Sequence, residues 1–160
     1  MEQPSASMLV IGDELLSGRT HDANMHYLAK ELTEIGINLT EARFIRDDPA
    51  AIVSSIIELS KRFDYLFTSG GIGPTHDDIT TDCVAEAFEK KASIRSDALK
   101  ILQEYYDGKD IELNEARLRM ARIPETAELI DNPISAAPGY VIENVYVMAG
   151  VPKIFQSMLK

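Results

Sequence analysis

Between Thr68 and Asp82 the chain reads Thr-Ser-Gly-Gly-Ile-Gly-Pro-Thr-His-Asp-Asp-Ile-Thr-Thr-Asp. Gly70, Gly71 and Gly73 let a backbone approach a phosphate closely. Pro74 stiffens the loop, Thr68, Ser69, Thr75 and Thr80 add hydroxyls, and Asp77 and Asp78 add carboxylates. Three glycines with this polar complement exceed what a strand-to-helix turn requires. A glycine loop that runs into a helix N-terminus is an anion site, because the first N–H groups of the helix are unpaired and point at the ligand. The spacing matches neither Gly-x-x-x-x-Gly-Lys-Ser/Thr nor Gly-x-Gly-x-x-Gly. A carboxylate beside a bound phosphate can hold a Mg²⁺-type cation, or orient and deprotonate a nucleophile. Asp77 and Asp78 are adjacent, so one points into a site while the other is expected to cap the helix. Asp47 lies on a separate turn and meets Asp78 across the site if the loops share one edge of a sheet. Paired carboxylates in oxygen-only surroundings suit Mg²⁺ rather than zinc. His21, His26 and His76 are too scattered for a metal cluster.

The elements that must position these groups alternate. Met8-Leu9-Val10-Ile11 is a short apolar run, read as a buried strand. A polar loop from Gly12 to Thr20 follows, then a helix capped by Thr20 or Asp22 with Tyr27, Leu28, Leu32 and Ile35 on its apolar face. Gly36 ends it. Residues 37–45 read as a second strand. In the turn Arg46-Asp47-Asp48-Pro49, Asp48 suits the cap and Pro49 the first position of a helix through Phe63. Tyr65-Leu66-Phe67 is a third strand, and Thr75, Asp77 or Asp78 is expected to cap the helix through Val84, Ala87 and Phe88. This alternation predicts an α/β fold: a three-layer α/β/α sandwich on a mainly parallel sheet. Ligands of such folds sit outside the carboxyl ends of the strands. Four loops fall there: Gly12–Thr20, Arg46–Pro49, Thr68–Thr80 and Ala149–Lys153.

After Lys91 the pattern predicts a helix from Ser96 or Asp97, ended by Gly108, and another from Leu113 to Arg122, stopped by Pro124. The arginines of the second helix read as a solvated face. Strands follow over 127–130, 139–142 and 145–148, with a tight turn at Glu143-Asn144. A last helix starts near Ile154, and its abrupt stop at Lys160 is expected where a larger architecture is cut. Met1 to Ser7 is expected to be a flexible leader to one domain spanning 1–160.

With 160 residues, 45% hydrophobic and 26% charged, the composition is that of one ordinary globular domain. A formal net charge of -10 argues against a nucleic-acid polymer as partner, but not against a small phosphorylated ligand. The single cysteine, Cys83, points to a reducing compartment, and a cytoplasmic protein is expected, without a membrane span. Cys83 reads as a small buried apolar residue rather than a nucleophile.

The run Gly70-Gly71-Ile72-Gly73-Pro74-Thr75-His76-Asp77-Asp78-Ile79-Thr80 resembles the signature of the molybdopterin-binding domain family, which includes MogA, MoaB, gephyrin and MoeA domains and the N-terminal domain of CinA. Ile11-Gly12-Asp13-Glu14-Leu15-Leu16-Ser17-Gly18-Arg19, with Asn24 beyond it, resembles the CinA branch more than MogA. So do Asn132-Pro133, Ala137-Pro138-Gly139 and Ala149-Gly150-Val151-Pro152. The glycine run is also similar to the N-terminal domain of eukaryotic FAD synthases. The resemblance implies that a phosphorylated pterin or a nucleotide binds at the glycine loop, with Gly12, Asp13, Glu14, Ser17, Gly18, Asn24, Pro138, Gly139, Gly150 and Pro152 around it. It implies Asp47 and Asp78 as catalytic residues, Asp78 also as the ligand of Mg²⁺ or another divalent cation. MogA-like enzymes adenylylate molybdopterin, whereas the CinA branch resembles metal-dependent nucleotide pyrophosphatases. Neither the amidohydrolase activity of full CinA nor FAD synthesis carries over to these residues. A non-catalytic pterin- or nucleotide-binding module is the alternative. Relatives of this kind form trimers or dimers, so a homo-oligomer is expected.

Overall fold

The computed structural model describes residues 3–159. Its elements are β1 (Ser5–Ile11), α1 (Asp13–Leu16), α2 (Asn24–Glu34), β2 (Asn38–Ile45), α3 (Pro49–Arg62), β3 (Tyr65–Ser69), α4 (Thr80–Ala87), β4 (Ala92–Ile94), α5 (Ser96–Lys109), α6 (Glu115–Leu118), β5 (Arg122–Pro124), β6 (Glu128–Ile130), β7 (Gly139–Ile142), β8 (Val145–Met148) and α7 (Pro152–Leu159). Six strands form one sheet in the order β2-β1-β3-β8-β7-β6. The pairs β1–β2, β1–β3 and β3–β8 are parallel, and the β8–β7 and β7–β6 pairs are antiparallel, so the sheet is mixed.

Side-chain alternation along β1 builds both halves of the core. Leu9 and Ile11 face α3, α4 and α5 through Ile52, Ile56, Leu59, Val84 and Leu102. Met8 and Val10 face α2 and α7 through Leu28, Leu32, Phe155 and Met158. The expected three layers are therefore present. Helix ends follow a repeated device in which an N–H bonds back across the last turn. Ile37 donates to Leu32 at 2.9 Å, Lys90 to Ala85 at 2.8 Å and Ile111 to Tyr106 at 3.2 Å.

Several boundaries differ from the sequence reading. Met1, Glu2 and Lys160 lie outside the described residues, but Ser5, Ala6 and Ser7 are paired in β1 rather than a leader. The loop after β1 holds the single turn α1. Helix α5 runs past Gly108, and Asp110 at φ 54 ends it. The residue after Asp110 is apolar Ile111, which suits this kind of ending, whereas Lys109 follows Gly108. The expected helix 113–122 is only α6 and a 3₁₀ turn, Arg119–Ala121, before the chain pairs β5 with β4 in a second, two-stranded sheet. Fully buried Ile123 anchors that small sheet in the core. Pro49 does open α3 with Asp48 as its cap residue, without a side-chain cap bond. Thr75, Asp77 and Asp78 do not cap α4, whose cap residue is Ile79.

The strand ends are held together at Gly70. Its N–H donates to Met148 O at 3.1 Å, and Thr80 Oγ1 donates to its carbonyl at 3.0 Å. Its φ is +100°, and a Cβ there collides with the carbonyl oxygen of Ile11. Gly70→Ala is therefore expected to destabilise the fold by about 3 kcal/mol, combining a left-handed conformation with backbone overpacking. Urea unfolding measures it, and a change under about 1 kcal/mol refutes the close packing described.

Candidate functional site

The chain leaves β1 for β2 on one side and later places β3 on the other, so the strand order reverses between β1 and β3. That is the topological switch at which crevices open in such sheets. A cavity of about 920 Å³ lies there, within the range that takes a nucleotide-sized ligand. Its walls are Gly12, Asp13 and Glu14 after β1, Asp47 after β2, Gly70 to Ile79 after β3, and Ala149 to Pro152 after β8. All four expected loops contribute.

One wall is a pair of carboxylates from different loops. Asp47 N–H donates to Asp13 Oδ1 at 3.0 Å, and Asp13 N–H donates to Asp47 Oδ2 at 3.3 Å. Each aspartate thus fixes the other's backbone. Burial pushes the Asp47 carboxyl above the ordinary aspartate range; the bond from Asp13 opposes this, and the charges of Asp13, Glu14 and Asp78 add to it. Arg46 Nε lies 3.8 Å from Asp13 Oδ1, on a largely exposed side chain.

The glycine loop closes on itself through Asp78. Its Oδ2 accepts from Thr75 N–H at 3.0 Å and from Thr75 Oγ1 at 2.8 Å, while its own N–H donates to Thr75 O at 3.1 Å. Asp78 Oδ2 would also lie 2.8 Å from a Cβ on Gly73. Thr80 N–H, the natural anion donor of α4, is taken by Gly71 O at 3.0 Å. The loop itself plugs that donor. No hydrogen bond among the described residues engages the N–H groups of Gly71, Ile72 or Gly73, and these three residues line the cavity. Asp77 and His76 are 81% and 86% exposed at the rim and lie 3.5 Å apart.

The other residues expected in the site divide by burial. Pro74, Thr75, Gly150 and Pro152 line the main cavity. Thr68 and Thr80 are fully buried beneath it, and Thr80 serves the loop from below. Ser69 and Asn24 reach a smaller adjoining cavity. Ser17 and Gly18 do not line either one, because the turn of α1 carries them outward. Pro138 and Gly139 are buried at the start of β7, where a Cβ on Gly139 would lie 2.5 Å from Val147 O. Neither residue lines either cavity. Arg19 and Thr20, from the expected Gly12–Thr20 loop, also line the cavity, as do Ala137, Ser135, Tyr106 and Met120. Tyr106 and Met120 arrive from α5 and the 3₁₀ turn, and no local motif marks them. The arginine row did carry a signal: Arg119 Nη1 donates to Thr75 O at 3.1 Å, tethering the glycine loop. Asn132 also lines the cavity but is satisfied internally, donating to Ser135 Oγ at 2.7 Å and Ala137 O at 2.9 Å and accepting from two backbone N–H groups.

Residues 7–160 match the family described as "probable molybdopterin binding domain". The chain belongs to that family. Within the molybdopterin-binding domain family it lies close to CinA. A solved structure of CinA from Thermoplasma acidophilum, described as a protein of unknown function, superposes with a TM-score of 0.88 at 32% identity, covering 97% of this chain and 94% of that one. A protein of Pyrococcus horikoshii is 36% identical over 97% of this chain, which spans 66% of that relative's length. A MoaB described as a molybdopterin biosynthesis enzyme, from Thermus thermophilus, shares the fold at a TM-score of 0.63 and 16% identity, with 98% of this chain and 87% of that one covered. Among the described residues no helix of this family member is long and apolar enough to cross a membrane.

Two outcomes follow from the site's electrostatics and burial. Below the ordinary aspartate range Asp47 is neutral in both folded and unfolded chains. Above its raised folded value it is charged in both, and the folded state carries the penalty. Asp47→Asn is therefore expected to raise Tm by about 2 °C at pH 7 and to lose that gain toward pH 3; an equal shift at both pH values contradicts the raised carboxyl. Cys83 is buried and its thiol is pushed up to about 11, chiefly by burial. A thiol reagent at pH 8 should modify the native protein about 10²-fold more slowly than the urea-unfolded one; equal rates contradict the burial.

Proposed function

We propose that the cavity binds a phosphorylated nucleotide or pterin and performs metal-dependent phosphoanhydride chemistry, with nucleotide pyrophosphate hydrolysis as the reaction. The observation that carries this reading is the juxtaposition at the switch point of unengaged glycine-loop N–H groups with Asp13, Glu14, Asp47 and Asp78. The N–H groups favour an anion, while four carboxylates repel one. An anionic ligand and this acidic wall coexist when a cation lies between them.

The donor set fits a hard divalent cation such as Mg²⁺. Asp78 offers an oxygen ligand, and no group of three or more acidic, His or Cys side chains among the described residues is placed to hold a metal by itself. Mg²⁺ commonly takes one or two carboxylates and completes its shell from phosphates and water. When bound, such a cation neutralises phosphate charge. The chain's own residues do the rest. Gly71 to Gly73 hold a phosphate through backbone N–H groups. Asp78, anchored by Thr75 at Oδ2, keeps Oδ1 for the cation. Asp47 is the base: its raised carboxyl is better matched to accepting a proton from water than an ordinary aspartate is. Water attacks phosphorus, the bridging oxygen leaves on the other phosphate, and the water's proton passes to Asp47.

The family description favours a pterin, and adenylyl transfer to molybdopterin uses the same groups with another acceptor in place of water. Incubation with ADP-ribose, FAD, or ATP plus molybdopterin, each with Mg²⁺, separates these reactions by product. Asp47→Asn is expected to lower turnover about 10²-fold or more, and Asp78→Asn comparably, with activity lost on chelation. Binding without turnover of any of them leaves a non-catalytic binding module, and unchanged turnover in Asp78→Asn removes that residue's role.

A further inference from the structure

Beside the main cavity lies a second one of about 50 Å³. It shares Ile11, Glu14, Thr20, Gly150 and Pro152 with the first, so the two adjoin. Its inner wall is formed by Asp22, Asn24 and Ser69. Asn24 is only 3% exposed. Its Nδ2 donates to Gly150 O at 3.0 Å. A carbonyl only accepts, so this bond dictates which end of the amide is nitrogen. The other end, Oδ1, is buried and has no hydrogen-bond partner among the described residues. Native folds rarely leave a buried side-chain acceptor unpaired without a reason.

We propose that this side cavity is a subsite for a neutral hydrogen-bond donor, of the kind a ribose diol presents, and that Asn24 Oδ1 reads it. This inference rests on the nucleotide reading of the main cavity. His21 also lines this cavity, but the cavity's acidic and amide oxygens disfavour an anion. The Asp22 carboxyl oxygens accept from the N–H groups of Asn24 at 3.1 Å and Met25 at 3.0 Å, and Glu14 stands on the shared wall. Three acceptors in one small space repel phosphate and attract O–H. The volume holds the equivalent of a few waters, enough for hydroxyls but not for a bicyclic base or pterin. The ligand therefore lies with its phosphates on the glycine loop and its sugar edge against Asn24. Asn24 also ties α2 to the loop after β8 through Gly150, so the same amide couples the sugar subsite to that wall.

Isothermal titration in Mg²⁺ with ADP, 2′,3′-dideoxy-ADP and inorganic pyrophosphate tests this. Wild-type protein is expected to bind ADP at least about tenfold more tightly than the dideoxy analogue, because a site built to bond a hydroxyl rejects the ligand lacking it. In Asn24→Ala that preference is expected to fall below about twofold while pyrophosphate affinity stays unchanged. Asn24→Ser makes the same comparison if the alanine variant does not fold. Equal wild-type affinities for the two nucleotides overturn the subsite and leave a bound water only. A variant that keeps the full preference, or that loses pyrophosphate as strongly as ADP, overturns the role of Asn24. If none of the three ligands binds, the nucleotide reading of the main cavity fails and this inference with it.

Discussion

The carbonyl oxygen of Ile11 packs so closely against Gly70 that no side chain fits between them. Around that contact the ends of β1, β3 and β8 converge. Gly70 N–H is tied to Met148, and a Cβ on Gly150 would stand only 3.2 Å from the Gly70 Cα. From the same side, the Thr80 hydroxyl fills the space a side chain on Gly71 would need. The cavity-lining loops after β1, β3 and β8 leave the sheet within a residue or two of this knot, whereas the one carrying Asp47 leaves it farther off. That loop is brought in by Gly12 N–H, which donates to Ile45 O at 3.1 Å.

The knot explains why the unengaged N–H groups belong to the glycine loop rather than to the start of α4. Pulling Gly71 against Thr80 plugs the first turn of α4, while the N–H groups of Gly71, Ile72 and Gly73 engage no partner among the described residues. Asp78, which sequence rules assign to a helix cap, is then used to close the loop around Thr75. The result concentrates carboxylates from three loops around one space, and a raised Asp47 carboxyl is the electrostatic consequence of burying it among Asp13, Glu14 and Asp78.

Much of the layered fold was legible because it rests on local patterns. The apolar runs at Met8–Ile11 and Tyr65–Phe67, and the helical spacing of Ile52, Ile56 and Leu59, each require a buried strand or face regardless of partner. Pro49 after Asp48, and Gly36 before Ile37, mark ends by backbone geometry alone. The region 91–124 was not legible. Its strands are three residues each, and β4 and β5 exist because they pair with each other across the intervening helix. A propensity window sees only the helix formers between Leu113 and Arg122.

The sequence by itself determined the chemistry available at the site: glycines at 70, 71 and 73, aspartates at 47 and 78, and their attachment to strand ends. These are properties of residue type and of spacing along one segment. Tertiary structure decided which of those groups face the same space and what state they are in. It set Asp47 against Asp13, withdrew Thr68, Thr80 and Gly139 into the interior, turned Ser17 and Gly18 outward, and delivered Tyr106 and Met120 from distant segments. It also left the amide oxygen of Asn24 buried without a partner among the described residues. Burial and unpaired hydrogen-bonding capacity depend on atoms far apart in the chain, so only the packed fold defines them.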